Sequence, residues 1–354
     1  MRDLYISDYP YVLYSAIVKG FSEPDRKKDL LIANGILGLE KLIIPLEESG
    51  VFEKVFFYDD LPFRTYVSKI CSFQATYESA KGLARINALI KGFLRILSCA
   101  WRYNNIKFPF EIDFRSYSTI YYTDRIGTMM FYLNSSRIKY TAMEHGKNVW
   151  SKKSKGAIYY LKLIYLLEKF RICCGISAYS AACNAVLVSD SSIAKDTPPW
   201  ATTVEWDLDK CIEALSNAQK DAIFTIYTSA YDLKLDFNND YAVLLTNPLC
   251  ADSVVNNEKE QIEFYMKHMA QYFPNIAHWI IKPHPRDTVN YEASFPNATI
   301  IDKEISAEVL CLSSDLRILG VLTYFSSAIE FFKLKTNNLY TISELYWRTN
   351  KEKV

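Results

Sequence analysis

Short apolar runs alternate with helically spaced stretches over the first sixty positions. Leu4-Tyr5-Ile6-Ser7 reads as a strand, with Asp8 as the cap of a helix from Tyr9 to about Phe21. Leu30-Leu31-Ile32-Ala33 reads as a second strand, followed by a helical pattern from Leu39 to Glu48. Val55-Phe56-Phe57-Tyr58 is a third. This βαβαβ rhythm predicts a parallel sheet with helices on both faces. No GxGxxG follows the first strand, which argues against dinucleotide binding of the Rossmann kind. Asp59-Asp60 at the third strand's tip has the form of a metal pair, but two carboxylates at a strand end more often mark a solvated loop, and that reading is preferred.

The pattern continues with a helical stretch from Gln74 to Tyr103, a strand at Ser118–Tyr122, a helix at Ile126–Leu133 and a strand at Lys139–Met143. Ser189–Pro199 is a polar loop, Asp209–Thr228 a helix and Asp232–Asp240 a charged linker. Asp207-Leu208-Asp209 matches the DxD of metal-dependent glycosyltransferases, but its place before a helix favours a cap. A second α/β unit follows, with strands at Tyr241–Leu245, His278–Lys282, Ala298–Ile301 and Arg317–Leu322. Its helices are expected at Glu258–Tyr272, Ala307–Leu312 and Ala328–Phe332. The chain is thus an α/β protein of two Rossmann-like domains, 1–235 and 236–354, with a terminal helix that packs back on the first. No internal repeat is present.

Composition narrows the class. A chain of 354 residues, 50% hydrophobic and 15% aromatic, builds packed cores and is long enough for two domains. The formal charge of +1 gives no footprint for nucleic acid. Eight cysteines without CxxC spacing argue against a zinc site or a disulfide framework and fit a reducing cytosol. Met1-Arg2-Asp3 leads into a strand with no signal-peptide pattern, and Ile172–Val188 is too short and mixed to span a membrane. Lys147, Lys152, Lys153 and Lys155 precede an apolar-rich stretch, Ile158–Phe170. That arrangement suits peripheral contact with the inner face of an anionic membrane, or ordinary solvated lysines beside a core helix. The expected location is cytoplasmic. Nothing in the sequence defines an oligomeric state.

Three short segments carry candidate chemistry. In Ile280-Ile281-Lys282-Pro283-His284-Pro285-Arg286-Asp287, an apolar strand ends in a turn stiffened by two prolines and flanked by cations. His284, one of four histidines, stands where open α/β sheets bind ligands, and a cationic pocket around an imidazole suits a departing phosphate. Lys282 and Arg286 fit attraction of that phosphate or the solvent-facing flanks of the turn. Glu144-His145-Gly146 ends the strand 139–143, where glycine permits a sharp turn and a partly buried carboxylate can act as a general base. A charged loop is the other reading. Ser326-Ser327 opens the last helix, where hydroxyls and unpaired N–H groups serve as a cap, a phosphate site or both. Thr246-Asn247-Pro248-Leu249 is a polar loop at another strand end.

In this order, Glu144-His145-Gly146, Lys282-Pro283-His284-Pro285 and Ser326-Ser327 resemble the motif set of bacterial sialyltransferases of glycosyltransferase family 52, related to the polysialyltransferases of family 38. Thr246-Asn247-Pro248-Leu249 is similar to the loop that opens the donor-binding half in those families. The resemblance implies a GT-B fold, two facing Rossmann-like domains with an active cleft between them. The second domain would hold CMP-sialic acid and the first a glycan acceptor, such as lipooligosaccharide or capsule. No cofactor or metal is implied. Glu144 would take the acceptor proton, His284 would bind and protonate the leaving phosphate, Ser326 and Ser327 would hydrogen-bond it, and Thr246 and Asn247 would border the nucleotide. Pro283, Lys282, Arg286, His145 and Gly146 complete the expected binding set. His145 departs from the usual acidic residue at its position, which bears on Glu144 or on donor choice. Two other functions stay open: a GT-B transferase using CMP-Kdo or a UDP-hexose, and an inactive GT-B-like protein that binds glycans or scaffolds their assembly.

Overall fold

A computed structural model describes residues 2–33, 38–60, 70, 76–77, 79–105, 107–108, 111–123, 127–144, 150 and 155–343. The chain divides into two compact units, Met1–Leu215 and Ser216–Val354.

In the first unit the strands are β1 Arg2–Ser7, β2 Lys27–Ala33, β3 Lys54–Tyr58, β4 Thr119–Thr123, β5 Tyr140–Met143, β6 Cys183–Val188 and β7 Thr202–Glu205. They form one sheet in the order β3-β2-β1-β4-β5-β6-β7, parallel throughout. The helices are α1 Pro10–Ser22, α2 Ile43–Ser49, α3 Gly82–Asn104, α4 Thr128–Ser135, α5 Lys155–Lys169 and α6 Leu208–Ala214. The central strands are buried almost end to end, as expected of a sheet covered on both faces. β7 is exposed along its length and lacks an apolar run, which is why its sequence gave no strand signal.

Two aspartates differ from expectation. Asp8 does not cap α1, which begins at Pro10 behind Tyr9 with no side-chain cap; proline is pre-set for that first position. Asp8 is instead buried and accepts a hydrogen bond from Tyr122 Oη at 2.8 Å. Asp60 lies in no solvated loop. It is buried and accepts from Thr128 Oγ1, at the first residue of α4.

The expected helix 209–228 is two helices. Leu215 and Ser216 separate α6 from α7 Asn217–Tyr231, and Ser216 with Gln219 forms a reciprocal capping box that restarts the helix. Helix α6 packs on α1, whereas α7 packs on the 3-10 turn Ala307–Cys311. The boundary between units therefore falls after Leu215 rather than after residue 235, and α7 belongs to the second unit.

That unit contains β8 Asp240–Leu245, α8 Glu258–Tyr272, β9 His278–Lys282, β10 Ala298–Ile300, β11 Arg317–Thr323 and β12 Leu339–Thr341. The segments expected as helices at 307–312 and 328–332 are 3-10 helices, Ala307–Cys311 and Ser327–Leu334. The sheet order is β10-β9-β8-β11-β12, again parallel throughout. From β8 the chain steps outward to β9 and β10, then returns to the other side of β8 as β11 and β12. The order reverses between β8 and β11, and a sheet of this type binds ligands beyond the carboxyl ends of its strands at such a point.

Among the described residues no helix is long and apolar enough to cross a membrane. The expected terminal helix, and His145, Gly146, Lys147, Lys152 and Lys153, lie outside the described residues.

Gly320 fixes the approach of α8 to the second sheet. It is buried in β11 at a register irregularity, and a Cβ there would overlap the ring of Phe273, the residue that ends α8. Gly320→Ala is expected to lower unfolding free energy by about 1–3 kcal/mol, because the ring is wedged and must move. Urea denaturation of the purified chain measures this.

Candidate active site

The second unit builds its site from three neighbouring strand ends. Beyond β9 comes the turn Pro283-His284-Pro285, and beyond β8 come Thr246 and Asn247. Thr246 N donates to the Lys282 carbonyl at 3.1 Å. The His284 N–H donates to Thr246 Oγ1 at 3.2 Å, and that hydroxyl donates to Asp287 Oδ2 at 2.6 Å. Asp287 N closes the turn onto the His284 carbonyl at 2.8 Å. The Asp287 side chain, 4% exposed, also accepts from Tyr291 Oη at 2.7 Å, Gln261 Nε2 at 3.2 Å and Val289 N at 3.2 Å. One buried carboxylate thus ties the histidine turn to β8, to helix α8 and to the segment that follows.

This framework sets the state of His284. Its Nδ1 accepts the Arg286 N–H at 3.1 Å, which leaves the ring proton on Nε2. Burial, then the positive charges of Arg286 and Lys282, lower its pKa below the usual 6.5. Half-buried at the rim, the neutral imidazole presents Nε2–H as a hydrogen-bond donor.

Asn247 secures the other side. Its side chain donates to the Phe325 carbonyl at 2.7 Å and accepts from Phe325 N at 3.0 Å, while its own N–H donates to Tyr265 Oη at 2.7 Å. Asn247 therefore bridges β8 to the loop after β11 across the switch point. In that loop Ser326 is the N-cap residue of the 3-10 helix, its Oγ accepting from Ala328 N at 3.3 Å, and Ser327 is exposed beside it. The Ser326 hydroxyl hydrogen is not used in this bond and can donate outward. Thr246, Asn247, His284 and the serine pair, far apart in sequence, stand on the carboxyl ends of adjacent strands.

The two cations of the turn are placed differently from each other. Lys282 points under the turn, not out of it: Nζ donates to the carbonyls of Pro283 at 2.5 Å and Lys303 at 3.3 Å. Burial lowers its pKa to about 8, partly offset by Glu308, Glu304, Asp302 and Asp287. It is a buried cation within the framework, since β9 alternates faces and its last side chain turns inward. Arg286 is exposed and pairs in bidentate fashion with Asp252 at 3.1 and 3.3 Å. An exposed pair contributes at most about 1 kcal/mol, so a phosphate can take the place of Asp252 at small cost. Asp252 also borders a cavity of about 420 Å³, together with Asn247, Leu249, Tyr324, Phe325 and Ser343.

The first unit carries Glu144, half-buried at the tip of β5. Its Oε2 accepts from Ser189 N at 2.8 Å and Ser189 Oγ at 2.5 Å, from the end of the neighbouring strand β6. Tyr11, Trp206 and Leu208 line a small cavity of about 10 Å³ beside it. Two donors on one oxygen aim the carboxylate. Asp207 is a cap, its Oδ1 accepting from Asp209 N at 3.0 Å at the start of α6.

Asp287, Gln261, Tyr291, Tyr265 and Ser189 were not singled out in the sequence. A signal existed for Gln261: with Tyr265 and Met269 it occupies the i, i+4, i+8 buried stripe of α8, where an amide needs a buried partner. Ser189 gave none, because its role depends on which strand lies beside β6.

Removing the shared acceptor strands several buried donors at once. Asp287→Ala is expected to cost about 2–4 kcal/mol, since each unsatisfied buried group costs about 1–3. Tyr291→Phe removes one donor only and is expected to cost about 1 kcal/mol. Paired urea titrations read both.

Comparisons with known proteins identify the family of the chain. The family model for glycosyltransferase family 52 matches residues 130–344, more than half of the chain and a range that includes every site residue above except Tyr11. An uncharacterized protein of Haemophilus influenzae is 35% identical over 86 residues, which are 24% of this chain and 27% of that relative's length. Among solved structures, the GT-B domain of a sialyltransferase from Photobacterium damselae is 10% identical over 95% of this chain and 90% of its own, with a TM-score of 0.47. The UDP-GlcNAc 2-epimerase of Neisseria meningitidis is 8% identical over 93% and 79%, with a TM-score of 0.45. One of these is a transferase and the other an epimerase, so activity rests on the family and not on these likenesses. The parallel α/β units have the make-up of the GT-B fold, and the chain belongs to glycosyltransferase family 52.

Proposed function

We propose that this glycosyltransferase moves sialic acid from CMP-sialic acid to a hydroxyl of a cell-surface glycan, lipooligosaccharide or capsule, by metal-independent inverting displacement. The observation that supports the reading best is His284, held by Thr246, Arg286 N–H and Asp287 as a neutral Nε2–H donor on a strand-end rim. In the step, the acceptor oxygen forms a bond to the anomeric carbon as the bond from that carbon to the CMP phosphate oxygen breaks. The bonding electron pair leaves with CMP. Glu144 takes the acceptor's proton, while His284 and the hydroxyls of Ser326 and Ser327 hydrogen-bond the phosphate as its charge grows. Donors placed where charge develops lower a barrier most, which is the reason to assign the largest effect to this rim.

With His284 neutral at rest, it acts as a hydrogen-bond donor through Nε2–H to the phosphate as that group departs. Its lowered pKa puts the imidazolium below about pH 6.5, so kcat/KM for the donor should stay level from roughly pH 6.5 to 7.5. A rise in kcat/KM as pH falls through that range would mean that the imidazolium is required and would overturn this role.

The decisive assay is turnover of CMP-sialic acid by purified protein in the presence of EDTA, with CMP-Kdo and UDP-hexoses as competitors. His284→Ala is expected to lose about a hundredfold or more in kcat, and Glu144→Gln a comparable factor in transfer to glycan. Turnover of CMP-Kdo or a UDP-hexose in place of CMP-sialic acid would move the donor assignment and keep the site. Glycan binding with no turnover of any donor would make the chain an inactive GT-B-like binder.

A further inference from the structure

The cavity of about 420 Å³ lies within the second unit and is of a size at which ligand sites are found. It meets the histidine turn at two places. Asn247 lines it, and Asp252 on its wall holds Arg286 of the turn. The wall is chemically uneven. Val254 and Phe325 give it apolar surface, Asn247 and Ser343 give it polar side chains, and Asp252 is its one charged side chain among the described residues. A cavity whose charge is a carboxylate repels phosphate and suits a group rich in hydroxyls, which donate to it.

The loop that carries Asp252 is fixed. Asp252 N donates to the Pro248 carbonyl and Val254 N to the Leu249 carbonyl, both at 2.8 Å. Ser253 between them takes a left-handed φ of 57°, and the residues on either side of it both line the cavity. Cys250 N donates to Gln261 Oε1 at 2.8 Å, which fastens the loop to the amide that also serves Asp287. Opposite, the Phe325 backbone is held on both sides by Asn247, so its ring, 70% exposed, stands at a set place on the wall. Only the Arg286–Asp252 contact is of a kind that exchanges readily, being a bidentate pair between two exposed side chains. Phosphate offers a guanidinium the same two-oxygen geometry as a carboxylate.

We propose that the Arg286–Asp252 pair is a latch worked by the donor: phosphate takes Arg286, and the released Asp252 accepts hydroxyls of the attached sugar, which enters the cavity against Phe325. Asp252 is then a specificity-determining residue. It favours a nucleotide that carries a sugar over the bare nucleotide left after transfer, because the bare nucleotide opens the pair and gives Asp252 no new partner. The inference rests on the proposed reaction in taking a phosphate-linked sugar as the ligand.

Calorimetric titration of the full chain with CMP and, without acceptor, with CMP-sialic acid tests it. Asp252→Ala should tighten CMP by about threefold to fivefold, the contribution of an exposed pair, since Arg286 no longer has a competing carboxylate. The same variant should weaken CMP-sialic acid by about threefold or more, since hydrogen bonds to a carboxylate contribute about tenfold or more and outweigh that gain. Phe325→Ala should weaken CMP-sialic acid by about fivefold and leave CMP within about twofold. The urea midpoint of Asp252→Ala should stay close to that of the wild type, which separates the opposed response from a loss of folding. Parallel changes in the two ligands with Asp252→Ala, or no change in either, overturn the inference. Should the wild type bind UDP and a UDP-hexose in place of the CMP pair, the donor assignment fails, and the same opposed response read on those two ligands decides the latch. A wild type that binds none of these nucleotides overturns both.

Discussion

The carboxylate of Asp287 is the point through which the second unit's site is held together. It gathers Thr246 from β8, Gln261 from α8, and Tyr291 and Val289 from the segment beyond the turn, all within 3.2 Å. Thr246 in turn takes the His284 N–H. A turn with proline on both sides of the histidine has few conformations available, and these bonds select one of them. The imidazole is therefore oriented by contacts that do not use its Nε2, which leaves that atom for a ligand.

Charge is distributed around this turn with the same consequence. Lys282 lies beneath it, buried on backbone carbonyls, and Arg286 lies at its outer edge in an exposed pair with Asp252. Both lower the pKa of His284, so the site attracts an anion while its imidazole stays neutral. Asn247 performs the matching task on the other strand end, locking the β11 loop with two hydrogen bonds to Phe325. The parallel order β10-β9-β8-β11-β12 brings these pieces side by side. It is a property of the topology rather than of any one motif.

Much of this was legible in sequence, for stated reasons. β8, α8 and β9 were expected within a residue of their observed ends, because an uninterrupted apolar run and a 3.6-residue stripe leave little choice. The Pro-His-Pro turn announced itself through its stiffness, and its tie to the Thr-Asn loop and the serine pair emerged only with the strand order. Asp8 and Asp60 were misread because a carboxylate's sequence neighbours do not reveal the distant hydroxyl that buries it, here Tyr122 and Thr128. Lys282 was read as a ligand because its spacing from His284 was visible but the inward direction of its side chain was not. The break at Ser216 was hidden by apolar spacing that continues in phase across it. The exposed apolar face of α3, with Leu83, Ile86, Ile90, Leu94, Leu97 and Trp101, lay inside a stretch read simply as helical, since periodicity alone does not separate two apolar faces.

The most direct test of the central claim is 15N NMR of the His284 imidazole in the folded chain, assigned by comparison with His284→Ala and titrated with pH and with CMP. The account predicts a neutral ring protonated at Nε2, a pKa below 6.5, and a marked shift of that Nε2–H when CMP is added. A ring protonated at Nδ1, or a His284 signal indifferent to saturating CMP, would contradict it.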